Sequence, residues 1–329
     1  MSQAVMAPSP ADLIRVELEE VEKALWEASR SEIEVLKEAA RHILDAGGKR
    51  VRPQLTLLAA RAMGGSLLRA VPLAAACELV HTATLVHDDI VDESDSRRGR
   101  MAVQFYFGNS ASVLMGDYLV VRSFALVASD PDRQLWSILV DTISRMCEGE
   151  VLQICVKGDT TIGVDVYETI IECKTALLIS TCTRFGALIG GAPPDVEQAL
   201  TDFGYQIGMA FQIQDDILDF LGDEKTLGKP VGGDLREGKV TLPVIYALQD
   251  ARPDDRAELL RIYEKSSALT IDEIRRATQI IEVAGGFRRA REHAWDYIHR
   301  SKRSLELVPE GESRDALQVL ADHIVDRWN

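Results

Sequence analysis

The distribution of proline constrains the fold of this chain more than any other feature of its sequence. Between residues 73 and 192 the only proline is Pro131, and the segments on either side of it are rich in Ala and Leu. Proline breaks helix interiors, whereas Ala and Leu favour helices, so these long runs predict long helices. The predicted helices lie over residues 11–46, 53–63, 71–92, 110–129, 133–156, 164–190, 195–221, 240–249, 254–264, 271–284, 286–304 and 312–328. No alternating strand pattern and no shift in composition stands out. We therefore predict one all-α domain over residues 11–329, preceded by a disordered N-terminus at residues 1–10.

Composition and charge narrow the possible partners. Hydrophobic residues make up 46% of the 329 residues and aromatic residues only 6%, which suits helices packed on helices. The net charge of −15 repels nucleic acid and anionic lipid, so we expect neither as a partner. The first ten residues lack the pattern of a signal peptide, and no apolar stretch approaches the ~20 residues that cross a membrane. Five scattered cysteines without a C-x-x-C pair are interpreted as buried, reduced thiols. Together these features predict a cytoplasmic protein with no transmembrane segment.

A first acidic cluster, His87-Asp88-Asp89-Ile90-Val91-Asp92, lies within a predicted helix. Positions i and i+4 share a helix face, so Asp88 and Asp92 are expected side by side, which destabilises a helix unless a cation lies between them. Mg²⁺ suits such carboxylates because it keeps waters and shares the phosphate oxygens of a substrate. One cluster alone leaves a metal site and an ordinary acidic helix face equally open.

A second cluster repeats this spacing in the segment 211–219, at Asp215, Asp216 and Asp219. Two acidic faces inside apolar helices would repel each other across a core, and metal ions between them would relieve that repulsion. Charge balance then requires an anion, for which diphosphate is the natural candidate. The pair of clusters therefore favours a metal-diphosphate site.

Basic turns accompany the acidic clusters. Gly47-Gly48-Lys49-Arg50-Val51-Arg52-Pro53 joins two predicted helices, and Arg97-Arg98-Gly99-Arg100 follows the first cluster. In so acidic a chain, compact basic turns indicate anion sites. The segment 222–239, rich in Gly, Lys and Asp, follows the second cluster. It is either a mobile surface loop or a lid over the charged site, and the neighbouring motifs favour the lid.

In the order and spacing of its motifs, the chain resembles the trans (E)-isoprenyl diphosphate synthases, most of all the octaprenyl and other long-chain polyprenyl diphosphate synthases. The resemblance runs from about residue 40 to 250 and rests on GGKRVRP, LVHDDIVDESDSRRGR, GDYL at 116–119, Lys174-Thr175, FQIQDDILDF and GKPVGGDLREGKVTLP. It implies a helical bundle of the isoprenoid synthase type with a central active-site cavity. It also implies a homodimer and about three Mg²⁺ per active site.

The resemblance assigns residue roles for two substrates, isopentenyl diphosphate and an allylic diphosphate such as farnesyl diphosphate. The metal ligands would be Asp88, Asp92 and Asp215, with further catalytic carboxylates at Asp89, Asp216 and Asp219. The allylic diphosphate would contact Arg97, Lys174 and Lys229. The isopentenyl diphosphate would contact Lys49, Arg52, His81 and Arg98. The reacting region would be lined by Thr175 and Gln212. Side-chain oxygens there can stabilise a developing allylic cation.

Product length depends on the residues just before the first cluster. In the family, aromatic side chains at this point close the product tunnel early, whereas this chain has Ala83 and Thr84. We therefore expect a heptaprenyl to decaprenyl product for quinone side chains, with octaprenyl favoured. The alternatives are a short-chain farnesyl or geranylgeranyl diphosphate synthase and the catalytic subunit of a heterodimeric synthase. A terpene cyclase typically lacks the second Asp cluster and the GGKRxRP turn, and both features are present here.

Overall fold

The computed structural model describes residues 9–45, 47–92, 96–97, 100–222, 231–265 and 268–325, with the backbone alone at 96, 97, 324 and 325. Over these residues the regular secondary structure is helical except for one short hairpin, in which Ser96–Arg97 pairs antiparallel with Arg100–Met101. The predicted all-α class is confirmed. Most of the segment predicted to be disordered, residues 1–8, lies outside the described residues.

The helices follow one another with short connections. In chain order they are α1 (Arg15–Ala28), α2 (Glu34–Leu44), α3 (Val51–Ala62), α4 (Leu67–Val91), α5 (Val103–Ala128), α6 (Arg133–Cys155), α7 (Val164–Ile171), α8 (Leu177–Ile189), α9 (Pro194–Leu221), α10 (Gly233–Arg236), α11 (Leu242–Asp250), α12 (Pro253–Tyr263), α13 (Ile271–Val283), α14 (Gly286–Ser304) and α15 (Glu312–Val325). Two 3₁₀ turns, Asp12–Ile14 and Leu305–Leu307, precede α1 and follow α14.

Two helices, α4 and α9, form the centre of the bundle. Helix α4 packs against α1, α3, α5 and α8, while α9 packs against α8 and α14. Their inward faces are fully buried, as at Leu73 and Leu79 of α4 and at Phe203 and Ile213 of α9. Each of these helices carries one of the acidic clusters. The clusters therefore belong to the most extensively packed elements of the fold.

The helix boundaries depart from the sequence prediction in two informative places. A single helix was predicted over 11–46, but it breaks between α1 and α2. There the Ser29 hydroxyl donates to the Leu25 carbonyl at 2.7 Å, and the Ser31 hydroxyl accepts from the Ile33 amide at 3.1 Å. Such local bonds compete with helix continuation. The helix predicted over 164–190 contains a π-helical turn at Glu172–Ala176 between α7 and α8.

By length and composition alone, two helices are apolar enough to cross a membrane. The expectation that no stretch of the chain is so long and apolar was therefore wrong. In α4, 72% of the most apolar window is buried inside the fold, as in a core helix, whereas in α5 the buried share is 33%. The expectation of buried thiols is confirmed for Cys77, Cys173 and Cys182 but was wrong for Cys147 and Cys155 of α6, which are exposed. Helices α5 and α6 thus present an unusually apolar outer surface.

Candidate active site

The first acidic cluster lies where α4 ends. Asp88 and Asp92 are half-buried, whereas Asp89 is only 3% exposed. The Asp92 amide, just beyond the last helical residue, donates to the Asp88 carbonyl at 2.8 Å. This bond continues the helical turn, so Asp88 and Asp92 do share a face as the spacing predicted. The cluster thus places two half-buried carboxylates side by side at the end of a helix.

The second cluster lies inside the last turns of α9 and is more deeply buried. Asp215 is half-buried, while Asp216 and Asp219 are 5% and 2% exposed. Asp216 accepts hydrogen bonds from the Tyr167 hydroxyl at 2.7 Å and from Gln212 Nε2 at 2.9 Å. Burial raises the pKa of Asp216 to about 7, even though these two hydrogen bonds act in the opposite direction. Of the three carboxylates, Asp215 has the most solvent access.

The buried Asp219 fixes the segment that follows α9. Its Oδ2 atom accepts from the Asp234 amide at 2.9 Å, and its carbonyl accepts from the Gly232 amide at 2.7 Å. Gly232 has φ of 75°, a conformation that favours glycine. Asp219 therefore holds α10 and the chain after it against the second cluster.

Two lysines stand beside the first cluster. Lys174 Nζ lies 3.5 Å from Asp88 Oδ2 and 2.6 Å from Glu150 Oε1, while Lys239 Nζ lies 3.1 Å from Asp92 Oδ2. Burial acts to lower the pKa of Lys174, but Asp88 and Glu150 raise it above its ordinary value. The pKa of Lys239 is likewise raised by neighbouring carboxylates in spite of its burial. Both lysines are therefore fixed as cations beside the first cluster.

The π-helical turn positions Lys174 and Thr175 for this role. A π turn widens the helix locally and often marks a functional site. Lys174 lies toward Asp88 on α4, whereas the adjacent Thr175 hydroxyl donates to Gln212 Oε1 on α9 at 2.7 Å. Two consecutive residues therefore connect the two acidic helices.

The basic turn before α3 uses its three cations in different ways. Arg50 has a left-handed backbone, with φ of 50°, and its guanidinium bonds Glu22 Oε2 at 3.1 Å and Glu78 Oε1 at 3.2 Å. Arg50 is thus paired with two carboxylates of the protein and stabilises the turn. It is therefore not available to hold a phosphate. Lys49 is exposed and Arg52 half-buried. These two remain available for the predicted phosphate contacts.

A cavity of about 50 Å³ separates the basic turn from the first cluster. It borders Gly47 and Arg50 of the turn, His81 and Asp89 of α4, and Arg100 of the hairpin. The predicted isopentenyl diphosphate residue His81 is thus brought to the same cavity as the basic turn. Arg98 and Lys229 lie outside the described residues, and Arg97 is described by its backbone alone.

The contact with His87 explains the GDYL motif, for which no role was predicted. Gly116 of that motif lies against the imidazole of His87, and an added Cβ there would collide with the ring. His87 Nε2 also lies 3.1 Å from the Val113 carbonyl and 3.6 Å from Asp117 Oδ1. The glycine therefore lets α5 approach α4 directly beside Asp88.

Sequence reasoning missed three residues that reach this site, namely Glu150, Tyr167 and Lys239. Lys239 lies inside the recognised motif GKPVGGDLREGKVTLP, and that position was a usable signal. Glu150 and Tyr167 lie in ordinary helical sequence, where only the tertiary contacts reveal them. The predicted chain-length residue Ala83 is fully buried, and Thr84, half-buried, donates to the His81 carbonyl at 2.8 Å.

The donor set suits a metal that is shared with a ligand. Among the described residues, no group of three or more Asp, Glu, His or Cys side chains is gathered closely enough to hold a metal alone. Mg²⁺ is usually bound by one or two carboxylates together with waters and substrate phosphates, so such a cage is not required. Half-buried carboxylates beside two fixed lysines fit a metal-bound diphosphate.

The Polyprenyl synthetase family model matches residues 33–281 of the chain. The short chain isoprenyl diphosphate synthase of Methanothermobacter thermautotrophicus is 39% identical, covering 89% of this chain and 91% of the relative. The octaprenyl diphosphate synthase of Escherichia coli is 35% identical, covering 93% and 94%. Heptaprenyl diphosphate synthase component 2 of Geobacillus stearothermophilus is 40% identical, covering 94% and 96%.

A solved structure is similar over its whole length. The polyprenyl synthase of Caulobacter crescentus, crystallised with calcium and isoprenyl diphosphate, superposes with a TM-score of 0.93 at 36% identity, and 99% of each chain is covered. The overall architecture is therefore shared with a protein that binds an isoprenyl diphosphate.

Proposed function

The chain belongs to the polyprenyl synthetase family, and from this premise we propose that it is a trans-polyprenyl diphosphate synthase. It condenses isopentenyl diphosphate head to tail, in successive steps, with an allylic diphosphate such as farnesyl diphosphate. One observation carries this proposal: Lys174 and Lys239 stand beside Asp88 and Asp92, and the π turn connects them to the second cluster on α9. Carboxylates for a metal and ammonium groups for a diphosphate thus meet at one cleft.

Mg²⁺ is the metal that this donor chemistry favours. Asp88 and Asp92 on α4 and Asp215 on α9 would hold it, since they are the carboxylates with solvent access. When bound, Mg²⁺ draws negative charge onto the leaving diphosphate. The buried Asp89, Asp216 and Asp219 support the surrounding structure, as the contacts of Asp216 and Asp219 indicate.

The side chains of the protein perform the remaining tasks. Lys174 and Lys239 stabilise the diphosphate as the allylic C–O bond breaks. The amide oxygen of Gln212 and the Thr175 hydroxyl stabilise the allylic cation without attacking it permanently. The double bond of isopentenyl diphosphate, held by Lys49, Arg52 and His81, then forms the new C–C bond. A proton is lost to the departed diphosphate, so the protein supplies no general base.

The purified protein provides the direct test of this function. With Mg²⁺, farnesyl diphosphate and isopentenyl diphosphate, it should release prenyl diphosphates whose length is read by chromatography. A twenty-carbon product only, or turnover only when a five- or ten-carbon allylic diphosphate replaces farnesyl diphosphate, would favour the short-chain alternative. Activity that requires an added partner chain would favour the heterodimeric alternative. The similarity to heptaprenyl diphosphate synthase component 2 is the reason for testing this alternative.

We place the product between heptaprenyl and decaprenyl length and favour octaprenyl, for quinone side chains. The support is the small Ala83 one turn before Asp88, together with similarity to octaprenyl and heptaprenyl synthases. Similarity to a short-chain synthase at 39% identity makes a test at this position necessary. Ala83→Phe should shorten the product to farnesyl or geranylgeranyl length because the ring occupies the tunnel.

Ala74→Phe is the matched control for this test. Ala74 is equally buried and precedes Ala83 by nine residues, which places it on the opposite face of α4. Overpacking there should cost about 1–3 kcal/mol of stability without shortening the product. If Ala83→Phe keeps the product length, or if both variants only lose stability, Ala83 does not line the tunnel.

A homodimer would cover the apolar outer surface of α5 and α6. Leu114 and Val121 of α5 are 63% and 61% exposed, and Val151 and Ile154 of α6 are 59% and 53% exposed. An open groove of about 420 Å³ adjoins this surface and is lined by Ile33, Val35, Leu36, Ala111, Leu114, Asp117, Tyr118 and Val121. Large exposed apolar patches mark interfaces, and a second copy supplies a matching apolar face. A dimer with this buried face agrees with a cytoplasmic enzyme.

Sedimentation of a charge variant tests this interface. Leu114→Arg should convert a dimer into a monomer, because two arginines would be buried at a twofold contact. Val283→Arg on α13 is the control, since Val283 is 75% exposed but far along the chain from this surface. A wild-type monomer at micromolar concentration would contradict the homodimer.

A further inference from the structure

A continuous row of hydrogen bonds crosses three elements beside the second acidic cluster. The Tyr167 hydroxyl of α7 donates to Asp216 Oδ2 at 2.7 Å, and Gln212 Nε2 donates to Asp216 Oδ1 at 2.9 Å. The Thr175 hydroxyl of the π turn donates to Gln212 Oε1 at 2.7 Å. Tyr167 and Asp216 are 3% and 5% exposed, while Gln212 is half-buried. Thr175, at the other end of the row, is 6% exposed, so the row lies in the interior and Gln212 is its most exposed member.

This row determines which way the Gln212 amide faces. The NH₂ group is the donor of a glutamine amide, and Gln212 Nε2 donates to Asp216 Oδ1, so this group faces Asp216. The amide oxygen then faces Thr175, whose hydroxyl proton it accepts. A carbonyl oxygen has two lone pairs, and Thr175 uses one of them. The orientation of Gln212 is thus a consequence of where Asp216 points.

Asp216 is in turn fixed by Tyr167. Each of its two oxygens accepts a hydrogen bond from a different side chain, one from Gln212 and the other from Tyr167. The phenol ring is enclosed in the core between α7 and α9, so its hydroxyl cannot move away without disturbing that packing. Without this second donor the carboxylate would be free to rotate and would no longer hold the amide.

We propose that Tyr167 is a positioning residue that acts through Asp216 to hold the Gln212 amide oxygen, beside Thr175, toward the site of the allylic cation. This inference rests on the proposed function, because it gives Gln212 the task of stabilising that cation. Tyr167 itself touches neither substrate. Its contribution belongs to turnover, not to diphosphate binding, since the lysines and the basic turn are not part of the row.

Tyr167→Phe removes the hydroxyl and keeps the buried ring. We expect kcat to fall about ten- to a hundredfold, as for the loss of a hydrogen bond to a charged group, with the KM for isopentenyl diphosphate unchanged. Tyr297→Phe is the matched control. The Tyr297 hydroxyl also donates to a carboxylate of α7, that of Glu168, at 2.7 Å, but this pair is not connected to Asp216. The control should keep the wild-type kcat.

A second readout does not depend on activity. The side-chain NH₂ resonances of Gln212, assigned by their loss in Gln212→Glu, should be shifted and slow to exchange in the wild-type protein. In Tyr167→Phe they should move toward the values of a solvated glutamine, and in Tyr297→Phe they should not move. Should Tyr167→Phe not fold, Asp216→Asn tests the same row one step nearer to Gln212 and should lower kcat similarly.

Unchanged Gln212 resonances in Tyr167→Phe would overturn the proposal, as would an equal loss of kcat in the Tyr297→Phe control. A rise in KM with unchanged kcat would also overturn it, because Tyr167 would then act on binding. Failure of the wild-type protein to make any prenyl diphosphate would instead overturn the proposed function, and the Gln212 resonances would still decide the hydrogen-bonded row.

Discussion

The two acidic clusters share one sequence pattern but are held in place by different forces. At the end of α4, Asp88 and Asp92 lie beside the ammonium groups of Lys174 and Lys239. Inside α9, Asp216 is held by the neutral donors Tyr167 and Gln212. The first cluster is thus supported by half-buried ion pairs, and the second by hydrogen bonds in the core.

This difference separates two tasks of a diphosphate site. An ammonium group that neutralises a carboxylate can also bind a phosphate oxygen, so the first cluster can exchange partners when substrate enters. Hydrogen bonds in the buried second cluster keep their partners, and they fix the geometry against which the substrate is aligned. The same five-residue spacing therefore occurs in two different settings. We call the adaptable cluster of Asp88 and Asp92 the first wall and the rigid cluster of Asp215, Asp216 and Asp219 the second wall.

Removing one carboxylate from each wall should have the largest effect. Asp88→Ala and Asp215→Ala should each lower turnover by about a thousandfold or more, because in the proposed function both would hold the metal that assists the leaving group. Steady-state turnover at saturating Mg²⁺ measures this loss. Asp202→Ala, on the same helix as Asp215 but outside the site, should leave turnover unchanged, and an active Asp88→Ala or Asp215→Ala variant would contradict the metal assignment.

Lys239→Met probes the ionic support of the first wall alone. The KM for the allylic diphosphate should rise about ten- to a hundredfold, since a charge-assisted contact to the diphosphate is lost. The wild-type KM should also rise with salt, because salt screens the attraction between the incoming diphosphate and the ammonium groups of Lys174 and Lys239. Lys157→Met, at an exposed lysine beyond α6, is the control. A Lys239→Met variant with unchanged KM would assign this lysine to structure only.

The smallest effect is expected where α5 approaches the first wall. Gly116→Ala should cost about 1–3 kcal/mol of stability, because the new methyl group collides with His87. Urea denaturation measures the change. The double variant Gly116→Ala/His87→Ala should recover part of the loss, since the ring that collides is removed. Additive losses in the double variant would show that the contact with His87 is not the cause.

Much of the fold and of the candidate site could be predicted from local sequence. Helices α3 to α6, α9 and α11 to α15 were foreseen from proline spacing, Ala and Leu content and apolar periodicity, which act within a few turns of chain. The i, i+4 spacing likewise placed Asp88 and Asp92 on one face. The break between α1 and α2 was missed because serine side chains competed with the backbone there.

Local sequence predicts a helical protein with two carboxylate-bearing helices and nearby basic turns, because helix formation and side-chain spacing act over a few residues. The partners of those carboxylates depend instead on the tertiary structure. Lys239 reaches Asp92 across 147 residues of chain, and Tyr167 reaches Asp216 across 49. Such pairings depend on how helices pack and which groups that packing removes from water, so the same Asp spacing became an ion-paired wall in one helix and a hydrogen-bonded wall in the other.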